Sequence, residues 1–208
     1  MAIGKENALK AVLEAAIAYE NNLANRYLLF VFQNKLHKID SYETLFRRSN
    51  FLHLTGLKVT SEDINASVFY QRCIHKRLSI NDFELSSDGT TELKLDVLPS
   101  LMCKNLSANM IGKHDSYKVK LYTEKLAGNV RGCMGFVLDS KEKYNVPNTI
   151  LKQDIRDLVF RPNRIILTYR KRIDENAYSE IVYAAKNYDW SSLVLPAHLS
   201  HLPLPDPN

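Results

Sequence analysis

Cysteine, proline and glycine are all scarce in this 208-residue sequence, with three, seven and seven residues respectively. The cysteines, Cys73, Cys103 and Cys133, form neither a CxxC pair nor a cluster with histidine. This pattern argues against a disulfide framework and against a structural zinc site, and it predicts reduced, mostly buried thiols. A chain of this length buries enough apolar surface to fold without such cross-links.

Long hydrophobic runs are lacking as well. The longest apolar stretch near the start of the chain, Tyr27 to Phe32, is too short for the core of a secretory signal or for a membrane span. We therefore expect a cytoplasmic protein with no membrane partner. No internal repeat or low-complexity tract is present either.

The positive charge is unevenly distributed. Residues 117–172 hold seven Lys and six Arg against two Glu and three Asp, a net charge of +8, so the rest of the chain carries −3 of the total of +5. A basic part beside an acidic part is typical of a protein that meets a polyanion, and charge alone does not distinguish RNA, DNA or an acidic protein. A solvated surface with interspersed Lys and Arg stays open as the alternative.

The hydrophobic pattern predicts helices in the first half of the chain. They are expected over residues 5–25, after a cap at Thr60 or Ser61, and from Thr90 or Thr91 to a break near Pro99. Two short apolar runs around Gln33-Asn34 indicate a hairpin. The segment from Asn50 to Leu57 is predicted to be a strand that Gly56 closes.

From Tyr117 onward the pattern changes to alternating polar and apolar residues. The predicted strands are Tyr117–Thr123, Cys133–Leu138, Arg164–Tyr169 and Ser179–Ala184, with a short helix over Ile150–Val159. Helices followed by strands predict an α+β protein, in which N-terminal helices pack on a mostly antiparallel sheet.

We divide the chain into an N-terminal helix (1–25), one α+β domain (26–190) and a Pro-rich tail (191–208) that is either wrapped on the surface or mobile.

The glycine-rich segment from Gly128 to Gly135 superficially resembles a phosphate-binding loop. It lacks the Lys-Ser/Thr pair of such loops, so a hairpin turn that leads into a strand is the better interpretation. No HExxH, GxSxG or kinase-like set occurs, and no carboxylate spacing indicates a magnesium site. Metalloprotease, serine-hydrolase and nucleotide-hydrolysis functions are therefore unsupported.

Among the six histidines, His53 differs because it lies within an apolar segment. In a strand, Phe51, His53 and Thr55 would share one face, and Lys58 would follow the turn at Gly56. An imidazole can exchange a proton with a ribose hydroxyl near neutral pH, and a nearby cation can hold the phosphate. A hydrogen-bonded structural histidine is the alternative.

The segment Asn50-Phe51-Leu52-His53-Leu54-Thr55-Gly56 resembles a family of nucleases from phages and mobile elements, the fourth phage group of the barnase, EndoU, colicin and RelE-like class. Weaker similarities lie at Phe69-Tyr70, Lys76–Ser79, Asp88–Thr91 with Lys94-Leu95, and Pro147-Asn148 with Lys152 and Asp154. Together they cover residues 26–185. The resemblance implies a RelE/barnase-like fold with a four-stranded antiparallel sheet, and RNA cleavage that needs neither metal nor cofactor.

One hypothesis is therefore an endoribonuclease in which the ribose 2′-OH attacks the adjacent phosphodiester. The expected catalytic residues are His53, Thr55 and Lys58, and the expected substrate-binding residues are Lys94, Arg131, Lys152, Thr168, Arg170 and Lys171. Barnase-type catalysis pairs a carboxylate base with a histidine, and no glutamate stands out opposite His53. The second acid or base group stays open, with Tyr70 also available.

A second hypothesis is a non-catalytic protein of phage or mobile-element origin that binds nucleic acid or protein. An inhibitor of a host defence system is one example, so a protein partner from a defence or toxin system stays open. A scaffold without a role in nucleic-acid handling is a third reading. The sequence does not indicate the oligomeric state.

Overall fold

One strongly curled antiparallel sheet organises the protein, and a layer of helices covers its inner face. The computed structural model describes residues 3–205. The helices are α1 (Lys5–Asn22), α2 (Phe51–Thr55), α3 (Ala66–Ile74) and α4 (Thr90–Leu101). The strands are β1 (Arg26–Gln33), β2 (Ile39–Phe46), β3 (Lys58–Val59), β4 (Phe83–Glu84), β5 (Met110–Lys113), β6 (Lys125–Gly128), β7 (Cys133–Leu138), β8 (Asn145–Leu151), β9 (Asn163–Arg172) and β10 (Glu180–Ala184).

Eight of these strands form the main sheet, and β3 and β4 pair separately. The order is β2-β1-β9-β5-β6-β7-β8, with β10 also paired to β9, and every pairing is antiparallel. The sheet curls until its two edges meet. The Thr44 hydroxyl of β2 donates to the backbone carbonyl of Asn145 in β8 at 3.0 Å. The side-chain amide of Asn145 donates to the backbone carbonyl of Glu43 at 2.8 Å.

The core lies between the helices and the inner face of the sheet. Small and aromatic side chains recur on α1 at helical spacing, and Tyr19 at its C-terminal end is fully buried. Its ring lies 5.2 Å from that of Phe51 and 5.9 Å from that of Tyr70, measured between centroids. Truncating a buried aromatic such as Phe51 to alanine typically costs about 3–5 kcal/mol. The aromatic cluster therefore fixes α1, α2 and α3 relative to one another.

The outer face of the sheet is covered over β1 and β9 by the C-terminal segment. Leu199 and Leu202 are both buried against it, and the Tyr169 hydroxyl donates to the Pro203 carbonyl at 2.7 Å. The described part of the predicted tail is thus packed on the sheet. Residues 1, 2 and 206–208, which belong to the predicted N-terminal helix and tail, lie outside the described residues. The division into three segments stays a prediction.

Several sequence predictions are confirmed by the elements. The predicted helices correspond to α1, α3 and α4, with Pro99 inside the last turn of α4. The predicted cap at Thr60 or Ser61 is wrong, since Asn65 caps α3 and its side chain accepts hydrogen bonds from the amides of Ser67 and Val68. The hairpin at Gln33-Asn34 and the strands β7, β9 and β10 are present, and all three cysteines are free, with Cys73 and Cys133 buried.

Other predictions are wrong. The main sheet has eight strands instead of four, because the hairpin strands β1 and β2 join it and because β5, β6 and β8 were not predicted. Tyr117–Thr123 is not a strand, because Asp115 starts a turn in which its side chain accepts from the amide of Tyr117 and its carbonyl from that of Lys118. Ile150–Val159 is not a helix, since β8 runs to Leu151 and only a short 3-10 turn, Ile155–Asp157, follows.

Candidate active site

The segment that carries His53 is a short helix, so the predicted strand is wrong. Phe51 and Leu54 are buried at a spacing of three residues, as one face of a helix requires, and His53 is exposed. Gly56 ends the helix with a left-handed φ of 70°. Because α2 is helical, Phe51, His53 and Thr55 do not share one face.

Thr55 lies beneath this turn and has no exposed surface. Its hydroxyl donates to the Leu52 carbonyl at 2.8 Å and accepts from the Leu57 amide at 3.1 Å. Both hydrogen bonds are local and hold the end of α2 in place. The catalytic role predicted for Thr55 stays a prediction.

The first turn of α4 is fastened to the end of α2. The Thr91 hydroxyl donates to the Gly56 carbonyl at 2.8 Å and accepts from the Ser86 amide at 2.9 Å. A β-carbon built on Gly56 would lie 2.8 Å from Cδ of Lys94, well inside van der Waals contact. Glycine at this position therefore allows the Lys94 side chain to cross directly over the end of α2.

Lys94 brings a partly buried cation next to His53. Its ammonium donates to the backbone carbonyl of His53 at 3.3 Å. Burial lowers the pKa of Lys94, and the carboxylate of Asp88 only partly opposes that effect. The ammonium is thus a better proton donor than that of a solvated lysine.

Asp88 supplies a negative charge at the same place. The Thr90 hydroxyl and amide donate to its carboxylate at 2.6 and 3.0 Å, and these hydrogen bonds hold the pKa of Asp88 at about 2, with a small contribution from Lys58. Asp88 is therefore an anion at neutral pH and a poor base. We refer to His53, Gly56, Lys58, Asp88 and Lys94 as the α2–α4 corner.

Two further predicted residues lie along α4. Lys152, just after β8, forms an ion pair of 2.5 Å with Asp96 of α4. Arg131 is exposed in the β6–β7 turn, which is the hairpin predicted for the glycine-rich segment. That turn packs on α4, since a β-carbon on Gly132 would lie 2.2 Å from a methyl carbon of Val97.

The three predicted residues of β9 do not join the corner. Thr168 is fully buried, and its hydroxyl has no hydrogen-bond partner among residues 3–205. The Arg170 guanidinium donates to both carboxylate oxygens of Glu180, at 2.7 and 2.8 Å, and to the Asn22 carbonyl at 2.9 Å. These contacts fasten β9 to β10 and to the end of α1.

Lys171 is also engaged within the fold. Its ammonium lies 5.3 Å from the ring centre of Tyr27 and 4.7 Å from that of Tyr178. The predicted basic track along Arg170 and Lys171 therefore consists of residues in structural contacts with β1, α1 and β10. Sequence reasoning placed Thr91 at the start of a helix and Asp88 in a segment similar to the family, but it assigned neither residue to the site.

Within residues 3–205, no group of three or more His, Cys, Asp or Glu side chains is arranged to hold a metal ion. No helix in that range combines the length and the apolar character needed to cross a bilayer.

The curled antiparallel sheet with helices on one face fits the barnase-like class of α+β nucleases. The chain belongs to a family of that class, PBECR4, described as phage-Barnase-EndoU-ColicinE5/D-RelE like nuclease 4, which matches residues 11–187. The family suggested by Asn50–Gly56 is thereby confirmed, and its substrate class is nucleic acid. Searches of curated proteins and of solved structures give no significant match.

Proposed function

We propose that this protein is an endoribonuclease that cleaves RNA without a metal ion or cofactor. The 2′-oxygen attacks the adjacent phosphorus, the bond from phosphorus to the 5′-oxygen breaks, and the products carry a 2′,3′-cyclic phosphate and a 5′-hydroxyl. The proposal depends on one observation, which is the exposed His53 imidazole on the helix that the partly buried Lys94 ammonium contacts.

The four charged or titratable residues of the α2–α4 corner then each have a chemical task. His53 removes the proton of the 2′-hydroxyl, and Lys94 donates a proton to the leaving 5′-oxygen, a role that its lowered pKa favours. Lys58, exposed on the other side of Gly56, contacts the phosphate and stabilises its extra negative charge in the transition state. Asp88 remains anionic and keeps Lys94 and Lys58 at the corner by electrostatic attraction.

The test is an RNA cleavage assay in EDTA with single-stranded and structured RNAs. We expect products that end in 2′,3′-cyclic phosphate, and a loss of at least about a hundredfold in rate for His53→Ala. His75→Ala is the matched control, since His75 is an exposed histidine at the end of α3. Cleavage of 2′-O-methyl RNA or of DNA would contradict attack by the 2′-hydroxyl, and an unaffected His53→Ala protein would contradict the role of His53.

A non-catalytic binding protein is the second candidate, and the state of Asp88 favours it. The carboxylate of Asp88 accepts hydrogen bonds from the hydroxyl and amide of Thr90, which lower its pKa, so Asp88 is poorly suited to be the carboxylate base of barnase-type catalysis. Such a protein, for example an inhibitor of a host defence system, would bind RNA in a salt-dependent manner and leave it intact. Binding without any cleavage product in the assay above would support this function.

A further inference from the structure

A second cationic surface lies where the β1–β2 turn, the end of β5 and the segment before β9 meet. These parts enclose a cleft of about 500 Å³. All three of its charged lining residues are positive, namely Lys35, Lys113 and Arg161, while Leu36 and Phe160 contribute apolar surface and two asparagines complete it. We call this feature the rim cleft.

Two large apolar side chains are exposed in the rim cleft. Phe160 is 68% exposed and Leu36 is 77% exposed. The guanidinium carbon of Arg161 lies 5.0 Å from the ring centre of Phe160, so one cation flanks the ring. Exposed apolar surface bordered by cations is typical of an interaction site, and here the charge selects an anionic partner with apolar faces.

The backbone around Phe160 is held in place. Its amide donates to the Lys113 carbonyl at 3.3 Å, and the Lys118 ammonium donates to the neighbouring Val159 carbonyl at 2.9 Å. The ring of Phe160 is therefore exposed on a backbone that is fixed by hydrogen bonds.

We propose that the rim cleft binds a single-stranded segment of the nucleic-acid substrate. One base stacks on Phe160, and Lys35, Lys113 and Arg161 contact the flanking phosphates. A base exposes its face for such stacking only when it is unpaired and unstacked, so the cleft selects single strands over duplexes. This inference refines the proposed function, because it names the form of nucleic acid that the nuclease would bind.

The test is fluorescence anisotropy with a labelled 2′-O-methyl RNA of about 12 nucleotides, compared with its duplex. The 2′-O-methyl group removes the attacking hydroxyl, so binding is measured without cleavage. We expect Phe160→Ala to weaken single-strand binding about tenfold and duplex binding less than about twofold, and Phe160→Trp to retain single-strand binding. Ile173→Ala, which truncates another exposed apolar residue, should bind normally.

The salt dependence measures the contribution of the cations. Three phosphate contacts on a single strand predict a slope of about −2 for log affinity against log salt, and Lys113→Gln should reduce its magnitude by about 0.7. Lys141→Gln, at an exposed lysine of the β7–β8 turn, should leave the slope unchanged.

Unchanged single-strand affinity in Phe160→Ala would overturn the inference. An equal loss for single strand and duplex would do the same, and so would a wild-type protein that binds neither. Cleavage is measured separately with unmodified RNA. Binding that depends on Phe160, without any cleavage, would refute the proposed mechanism and support the rim cleft as a binding site. Cleavage together with binding that does not depend on Phe160 would refute the rim cleft alone.

Discussion

At Gly56 the backbone has a φ of 70°, and the side chain of Lys94 passes over its α-carbon. An alanine there would adopt a conformation that L-residues disfavour by about 1–2 kcal/mol, and its methyl group would also displace Lys94. We therefore expect Gly56→Ala to lower both the free energy of unfolding and the rate of RNA cleavage. Urea denaturation and the cleavage assay measure the two effects.

Gly89 offers a matched control for this substitution. It also has a positive φ, of 76°, but a β-carbon built on it would have no neighbour within 4 Å. Gly89→Ala should therefore lower the free energy of unfolding about as much as Gly56→Ala does, because both backbones are strained by a side chain. It should retain far more of the cleavage activity than Gly56→Ala. Equal activity losses in the two variants would show that displacement of Lys94 is not the cause.

At the scale of the element, α1, α3 and the turn after β2 meet at one carboxylate. Glu20 accepts a hydrogen bond from the Tyr70 hydroxyl at 2.6 Å and pairs with Arg48. Burial by itself would raise the pKa of Glu20, but the hydrogen bonds from Arg48 and Tyr70, and the attraction of Arg48 and Arg26, outweigh it and leave the pKa below its usual value. Ionised Glu20 therefore stabilises the contact between these elements.

This lowered pKa predicts how stability depends on pH. A carboxylate with a folded-state pKa below its unfolded value stabilises the protein above the unfolded pKa, and that contribution is lost as the pH falls through the folded pKa. We expect Glu20→Gln to be less stable than the unmodified protein at neutral pH, and the difference to shrink in acid. Urea denaturation across that range measures it, with the exposed Glu62→Gln as control. Parallel pH profiles for Glu20→Gln and the unmodified protein would contradict the prediction.

The elements also show what the sequence could and could not indicate. The helices α1 and α4 are long enough for their apolar spacing to be recognised, whereas the five residues of α2 fit a strand as well as a helix until their tertiary contacts are known. The resemblance identified His53 and Lys94, but their contact depends on how Thr91 fastens α4 to Gly56. Such a long-range hydrogen bond leaves no periodic trace in the sequence.

At the scale of the molecule, short and irregular strands explain why the number of strands in the main sheet was underestimated. β5 and β6 have only four residues each, too few for a clear alternation, and β8 contains Pro147 beside a register shift in its pairing with β7. Charge indicated a polyanionic partner, in agreement with the nuclease family, but it did not show which of the thirteen basic residues would contact that partner. Of the basic residues in the range 117–172, four form ion pairs with carboxylates, namely Lys152, Arg156, Arg170 and Arg172.

The C-terminal segment closes the outer face of the sheet, which makes it part of the folded unit. Leu202 and Leu199 are each only 4% exposed, whereas Leu204, a few residues further on, is 43% exposed. Truncating a buried leucine removes apolar contacts and leaves a cavity, so Leu202→Ala should lower the free energy of unfolding by about 2 kcal/mol or more. Leu204→Ala should change it by less than about 0.5 kcal/mol. Urea denaturation of both variants measures these changes. Equally small changes in the free energy of unfolding for the two variants would mean that the C-terminal segment is only loosely held on β1 and β9.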